Sequence, residues 1–396
     1  MAGAGLVAGA STLLLILDHF VVRPLQLTGA LDQLAAVYIK ACTMASLPGL
    51  LVARGLGVAN QKVLPLSPTA AYALTICLVS GVFIFLLAWV LLRRRARLRY
   101  PEFPDEVSDR RRFIQRAASL TLAGGAGVLA GYGVYVEPVW PRLNRLDLPL
   151  RGLPRDLDGV RLIHISDPHL GPFNSRHYLG SIMDRCSELD AHLMLATGDY
   201  IHGSGDFFEP MARLLARVKT RHGTLAVLGN HDHWEEPARC RRAFKAQGIH
   251  IVENRRLFLG GGGLSADPPA GGGLCLAGVG DLWEGRHDLD ACFGGVAPAT
   301  PRILLSHNPD FAEFASARRG AHRIDLMLAG HTHGGQVRLP GTRSLVVPSF
   351  YGDKYARGMV QGPSFPVFIT TGLGVTVLPV RMMVRPEVVL FTLRRA

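Results

Sequence analysis

Val160-Arg161-Leu162-Ile163-His164-Ile165-Ser166-Asp167-Pro168-His169 is an apolar run that ends abruptly in a carboxylate and an imidazole. The run Val160–Ser166 predicts a strand, because a short aliphatic and β-branched stretch closed by a turn-forming Asp-Pro pair suits a buried extended segment. Two residues apart on an extended chain, Asp167 and His169 point to the same side and can grip one cation. Alone the triplet proves little. The same pattern, however, returns along the chain.

Downstream, strands and helices alternate. Residues 176–191 read as an amphipathic helix, Leu193–Thr197 as a strand, Glu209–Thr220 as a helix, Thr224–Leu228 as a strand, 236–247 as a helix and Ile249–Glu253 as a short strand. This order predicts an α/β sheet with ligand groups gathered beyond the carboxyl ends of its strands. Further apolar runs at Leu274–Val279, Arg302–Ser306, Leu326–Ala329, Val367–Thr371 and Val388–Leu393 predict a second sheet. The clusters Gly260–Gly263 and Gly271–Gly273, around Pro268-Pro269, are expected to form an unpaired loop, and without a following Lys-Ser/Thr they make no phosphate cradle.

Each key run ends in candidate ligands. Leu193–Thr197 leads to Gly198-Asp199, a small residue that permits close backbone approach and a carboxylate able to bridge two cations. Thr224–Leu228 leads to Gly229-Asn230-His231-Asp232, where Asn230 offers an amide oxygen and His231 an acid near neutral pH. Arg302–Ser306 ends in His307, and Leu326–Ala329 in Gly330-His331-Thr332-His333. Ligand-rich ends on five strands of one chain argue against coincidence. Histidines outside this pattern, His164, His192, His250 and His322, read as ordinary surface or core residues, and Asp281 as part of a turn.

These motifs resemble the calcineurin-like metallophosphoesterase superfamily, whose pattern runs Asp-x-His, Gly-Asp, Gly-Asn-His-Asp/Glu, His and Gly-His-x-His. The resemblance covers about residues 158–395, and Ser306-His307-Asn308-Pro309-Asp310 with His331-Thr332-His333-Gly334-Gly335-Gln336 looks like its membrane-associated bacterial phosphodiesterase branch. It implies a four-layer α/β/β/α sandwich over 158–396 and a dinuclear metal centre. By matching motif, Asp167, His169 and His333 would hold one metal, Asn230, His307 and His331 the second, and Asp199 would bridge them. His231 would stand over the substrate phosphate, protonating the leaving oxygen or stabilising charge, with Asp232 orienting it. Mixed imidazole, carboxylate and amide ligation suits two divalent ions, manganese or iron, with zinc the alternative. Two metals about 3.5–4 Å apart would activate a bridging hydroxide for in-line attack on a phosphodiester or diphosphate. Pro168 replaces a more usual aliphatic residue, and its side chain is expected to face away from the metals.

The amino-terminal third is different in kind. Ala4–Val22, Leu34–Val52, Ala70–Leu92 and Ala117–Val136 are each close to the roughly 20 apolar residues that cross a bilayer as helix. Residues 1–136 are therefore expected to form a membrane region of four transmembrane helices, followed by a linker over 137–157. The third stretch has no carboxylate, amine, imidazole or guanidinium group and carries Trp89 near its end, whereas Asp18, His19 and Lys40 interrupt the first two. Eight arginines between residues 93 and 112 place that loop in the cytoplasm, which predicts an extracytoplasmic catalytic domain on an inner or plasma membrane. Arg110-Arg111-Arg112-Phe113-Ile114-Gln115 resembles a twin-arginine signal, but its internal position reads better as a basic flank.

More than half of the net charge of +12 falls in residues 1–136, and the remainder shows no basic-aromatic groove, so no nucleic acid is expected. Proximity to headgroups makes a membrane lipid or lipid-linked phosphate the expected substrate. No obligate protein partner is evident, and six cysteines without a C-x-x-C pair receive no role. A catalytically silent scaffold of the same fold is the alternative, although no ligand position is lost.

Overall fold

The computed structural model describes residues 125, 128, 129 and 131–396, except 318–321, 339, 340 and 345. The four apolar stretches and the arginine-rich loop lie outside the described residues, apart from the end of the fourth stretch. Among the described residues no helix is long and apolar enough to cross a membrane.

In chain order, β1 (Arg142–Leu150), β2 (Arg161–Ile165), β3 (Leu193–Ala196), β4 (Thr224–Ala226) and β5 (Ile249–Ile251) are interleaved with α1 (Arg176–Ser187), α2 (Phe208–Leu215), α3 (Asn230–Trp234) and α4 (Pro237–Ala246). Next come β6 (Arg255–Gly260), β7 (Gly263–Ser265), β8 (Leu274–Gly278), α5 (Leu289–Phe293), β9 (Arg302–Leu305), α6 (Phe311–Ala317), β10 (Leu326–Ala329), β11 (Gly358–Gln361) and β12 (Pro366–Ile369). The last strand, β13 (Glu387–Arg395), returns to the first sheet, whose order is β1-β13-β2-β3-β4-β5; the second runs β11-β12-β10-β9-β8-β6-β7. β2 to β5 are mutually parallel, as are β8, β9, β10 and β12.

Alternation of side chains along these strands builds three apolar layers. Leu162, Leu193, Leu195 and Leu225 face Leu276, Ile303, Leu305, Leu326 and Leu328 between the sheets. Ile163, Met194 and Ala226 point the other way, onto Leu179, Met211 and Phe244 of the first helices. Leu304, Met327 and Val367 meet Phe293 and Phe311 on the far side of the second sheet. Both faces of each central strand are thus buried, which explains runs that are apolar throughout rather than alternating. The result is a mixed α/β fold of two packed sheets with helices outside them. Ser175 starts α1 by accepting the Tyr178 N–H at 3.1 Å, and the helix ends at Ser187, earlier than residue 191, because Asp190 takes a left-handed φ of +45°.

Three segments depart from expectation. Residues 137–157 are not a plain linker: β1 pairs in parallel with β13 along nine residues, burying Leu148 and Leu150. As an edge strand it tolerates Pro149. The glycine cluster is ordered too, since Gly260 pairs with Gly263 across a two-residue Gly261-Gly262 turn, a hairpin that glycine makes easy. Finally, residues 131–139, which include the end of the fourth apolar stretch, pack on the catalytic unit: Arg381 N–H donates to Gly133 O at 2.8 Å and Glu137 is buried.

Candidate metal centre

Beyond each strand end the backbone turns into the left-handed region, with φ of +53° at Asp167, +45° at His169, +54° at Asp199, +67° at His331 and +51° at His333. Such a conformation costs a non-glycine residue about 1–2 kcal/mol, is best tolerated by Asp, Asn and His, and concentrates at functional sites. The loops also touch backbone to backbone. The space a Cβ would take at Gly198 lies 2.5 Å from Gly229 N, and at Gly330 it is held by Ser166 Oγ and Asp167 Oδ2.

These turns deliver two clusters. In one, His169 Nε2 lies 3.1 Å from His333 Nε2, which is 3.3 Å from Asp167 Oδ1. In the other, His307 Nε2 lies 3.2 Å from both Asp199 Oδ2 and His331 Nδ1. Asp199 Oδ2 is also 3.5 Å from His169 Nε2, so one carboxylate touches both clusters. Asn230 Oδ1 and His331 Nε2 are buried without a hydrogen-bond partner. Orientation is fixed from outside: His307 Nδ1 donates to Thr197 O at 2.7 Å, leaving Nε2 to face Asp199. His331 N–H donates to Asp167 at 3.0 Å and His231 N–H to Asp199 Oδ1 at 2.9 Å.

Electrostatics fit a cationic occupant. Asp167 and Asp199 are buried, and among the described residues neither forms an ion pair with Lys or Arg. Buried charges persist when paired or when they coordinate metals. Burial pushes Asp167 up to about 6. It would push His307 down, but the adjacent Asp199 carboxylate holds it up to about 10, a measure of how strongly positive charge is favoured there. Burial lowers His331 to about 3 and holds His169 and His333 well below the ordinary range, so these imidazoles are neutral and available as ligands. Oxygen and nitrogen donors without other partners, converging on shared carboxylates, suit divalent cations.

His231 stands beside both clusters, half-buried, its ring 4.7 Å from His169 and 4.6 Å from Trp234. Asp232 corrects an expectation. Its two oxygens accept Tyr200 N–H and Gly229 N–H, each at 2.9 Å, so the carboxylate holds the backbone that carries His231 rather than orienting the ring. Asp281 accepts Trp283 N–H at 2.9 Å and Glu284 N–H at 3.2 Å, which makes it the turn residue expected.

Motif spacing did not mark four further residues. His202, three positions after Asp199, puts its ring 5.1 Å from His231. Trp283 meets His331 edge-on at 4.6 Å, and Trp234 flanks His231. Arg381, fully buried, donates to Thr371 O at 2.8 Å and brings Nη2 to 3.5 Å from His333 Nδ1. His202 had a legible signal, an imidazole close after a ligand-bearing strand end. Arg381 had none, since its loop is remote in sequence.

Clusters of buried imidazoles around buried carboxylates, sharing one of those carboxylates where two sheets meet, define a metal-dependent hydrolase of phosphate esters. The sequence profile of the calcineurin-like phosphoesterase family matches residues 160–335, and that stretch carries a calcineurin-like metallophosphoesterase domain. The chain is 29% identical to an uncharacterized metallophosphoesterase, YkuE, of Bacillus subtilis, over 72% of this chain and 98% of that protein. A phosphodiesterase of Escherichia coli, YaeI, is 28% identical over 72% of this chain and 99% of its own length. A Danio rerio transmembrane protein with a metallophosphoesterase domain is 29% identical over 68% of this chain, which spans 61% of that relative.

Proposed function

We propose that this domain hydrolyses a phosphodiester or diphosphate carried on a lipid, at the outer face of an inner or plasma membrane, with two divalent cations, manganese or iron in preference to zinc. The observation that carries the reaction is Asp199, whose Oδ2 lies 3.5 Å from His169 Nε2 and 3.2 Å from His307 Nε2, a carboxylate shared by both clusters. Asp167, His169 and His333 would hold one cation, and Asn230, His307 and His331 the other. When bound, such a pair neutralises phosphate oxygens and acidifies a water.

The remaining chemistry belongs to the side chains. His231 would give a proton to the leaving oxygen, and its backbone is held by Asp199 and, through Gly229 and Tyr200, by Asp232. Trp234 and Trp283 pack on His231 and His331 and flank the site. The reaction type is supported by the printed activity of YaeI. Membrane anchoring is supported by the four apolar stretches and by the transmembrane description of the Danio rerio relative. The basic loop over 93–112 supports an outward-facing domain.

The test is manganese-dependent hydrolysis of bis-p-nitrophenyl phosphate by the full chain in detergent. His231→Ala should lower kcat about 10²–10⁴-fold. Asp199→Asn should lose more than Asn230→Ala, because both cation sites lose a ligand. Equal or smaller loss for Asp199→Asn contradicts the shared carboxylate, and a folded, metal-loaded wild type inactive on every phosphodiester supports a silent scaffold instead.

A further inference from the structure

A rim of exposed aromatic and aliphatic side chains is built directly on the loop that carries His333. Three segments form it, 135–140, 346–351 and 377–385, and the printed contacts knit them together. Met383 N–H donates to Glu137 Oε2 at 2.8 Å, tying the third segment to the first. Val337 pairs with Met382 and Arg338 with Ser344, linking the third to the stretch that leads into the second. Ser344 Oγ donates to Gly334 O at 2.8 Å, and Arg381 reaches His333, so the rim and the metal centre share a foundation.

Phe350 is 82% exposed and Val346 73%, with Tyr135, Trp140 and Met383 also exposed. Large apolar side chains left exposed on segments tied together in this way mark a candidate interaction surface. A cation accompanies the rings: the Arg385 guanidinium stacks 4.1 Å from the Trp140 centroid, whereas Lys354, near Tyr351, is already paired with Glu313. Indole and phenol rings beside basic side chains are what the headgroup layer of a bilayer selects, the rings at the apolar boundary and the cations at anionic phosphates. Sequence adjacency says which surface covers the rim. Trp140 follows Val136, the last residue of an apolar stretch of membrane-crossing length, by four residues, and an extended chain spans at most about 14 Å over that distance.

We propose that this rim docks on the headgroup region of an anionic bilayer, setting the mouth of the metal centre at the lipid surface. It rests on the lipid-linked substrate proposed above. The full chain, reconstituted in nanodiscs containing phosphatidylglycerol with brominated acyl chains, tests it. Phe350→Trp should add a tryptophan emission that brominated lipid quenches, whereas His250→Trp, exposed on β5 at the far edge of the first sheet, should add one that it does not. Joint Val346→Asp and Phe350→Asp should raise KM about tenfold for a phosphodiester embedded in the bilayer, a loss of roughly 1.4 kcal/mol of binding, and leave soluble bis-p-nitrophenyl phosphate unaffected. Absence of quenching at position 350 overturns the docking whatever the hydrolysis assay gives, including the case where self-association covers the rim. Quenching at 350 with no hydrolysis of either substrate supports the docking and removes the phosphoesterase proposal.

Discussion

His164 lies in β2 between phenylalanines, its Nε2 3.0 Å from Thr197 Oγ1 and its Nδ1 unpartnered, and burial lowers its pKa to about 3. An unfolded imidazole titrates near 6.5, so the folded protein binds fewer protons than the unfolded one below that pH. Stability from this residue is therefore complete above about pH 6.5 and falls as pH drops toward 3, by about 1.4 kcal/mol per pH unit. His164→Gln should flatten that dependence between pH 6.5 and 5, seen as urea midpoints that converge with wild type as pH falls; parallel pH profiles would remove His164 as the cause. The contrast with the site residues shows what sequence can carry at this scale. Candidate ligands were legible because they follow apolar runs at fixed short spacings. The partners of Asp232, and the approach of His202 and Arg381, depend on how left-handed turns fold back on one another, and spacing does not encode that.

Elements were legible where local pattern and tertiary burial agree, as in β2, β3, β4 and β10. β1 fails that test. Leu146, Leu148 and Leu150 alternate with polar residues or Pro149, a period-two signal, but its partner β13 lies about 245 residues away, as the Arg142 to Glu387 pair shows. Glu387 secures this pairing: one oxygen accepts from Arg142 at 2.8 Å and from Asn144 at 2.6 Å, and the other accepts Thr371 N–H at 2.9 Å. If β1 is a structural strand, Leu150→Ala should cost about 2–5 kcal/mol, since the side chain is buried. Leu143→Ala, at an exposed position on the same strand, should stay within about 0.5 kcal/mol. Denaturant unfolding of both variants decides the matter, because two neutral substitutions would mean that residues 142–150 behave as a tether. The glycine hairpin departs for the opposite reason: composition alone suggests an unpaired loop, while the Gly-Gly turn and the pairing of Phe258 with Ser265 and Leu259 with Leu264 make a short ladder.

At the scale of the molecule, the two sheets meet along one apolar layer and again at the candidate metal centre, and the second contact joins residues from both halves. Asp167, His169, Asp199 and Asn230 follow β2, β3 and β4 of one sheet, whereas His307, His331 and His333 follow β9 and β10 of the other. The presence of two sheets could be read from the number of apolar runs, but not the return of β13 beside β1, because strand order is set by packing rather than local pattern. Cations bound at this seam would bind the folded state alone and clamp the sheets together, adding stability of RT ln(1 + [L]/Kd), about 2.7 kcal/mol at a hundredfold excess over Kd. For a folded unit of this size each kcal/mol moves Tm by roughly 2–4 °C, so chelation should lower Tm by about 5–10 °C and manganese should restore it. Asp199→Asn should abolish most of that metal-dependent shift, while Asn230→Ala, which spares the cluster of Asp167, His169 and His333, should keep part of it. An unchanged Tm after chelation, in protein shown by elemental analysis to have carried metal beforehand, would mean that the apolar layer between the sheets holds them without help from the site.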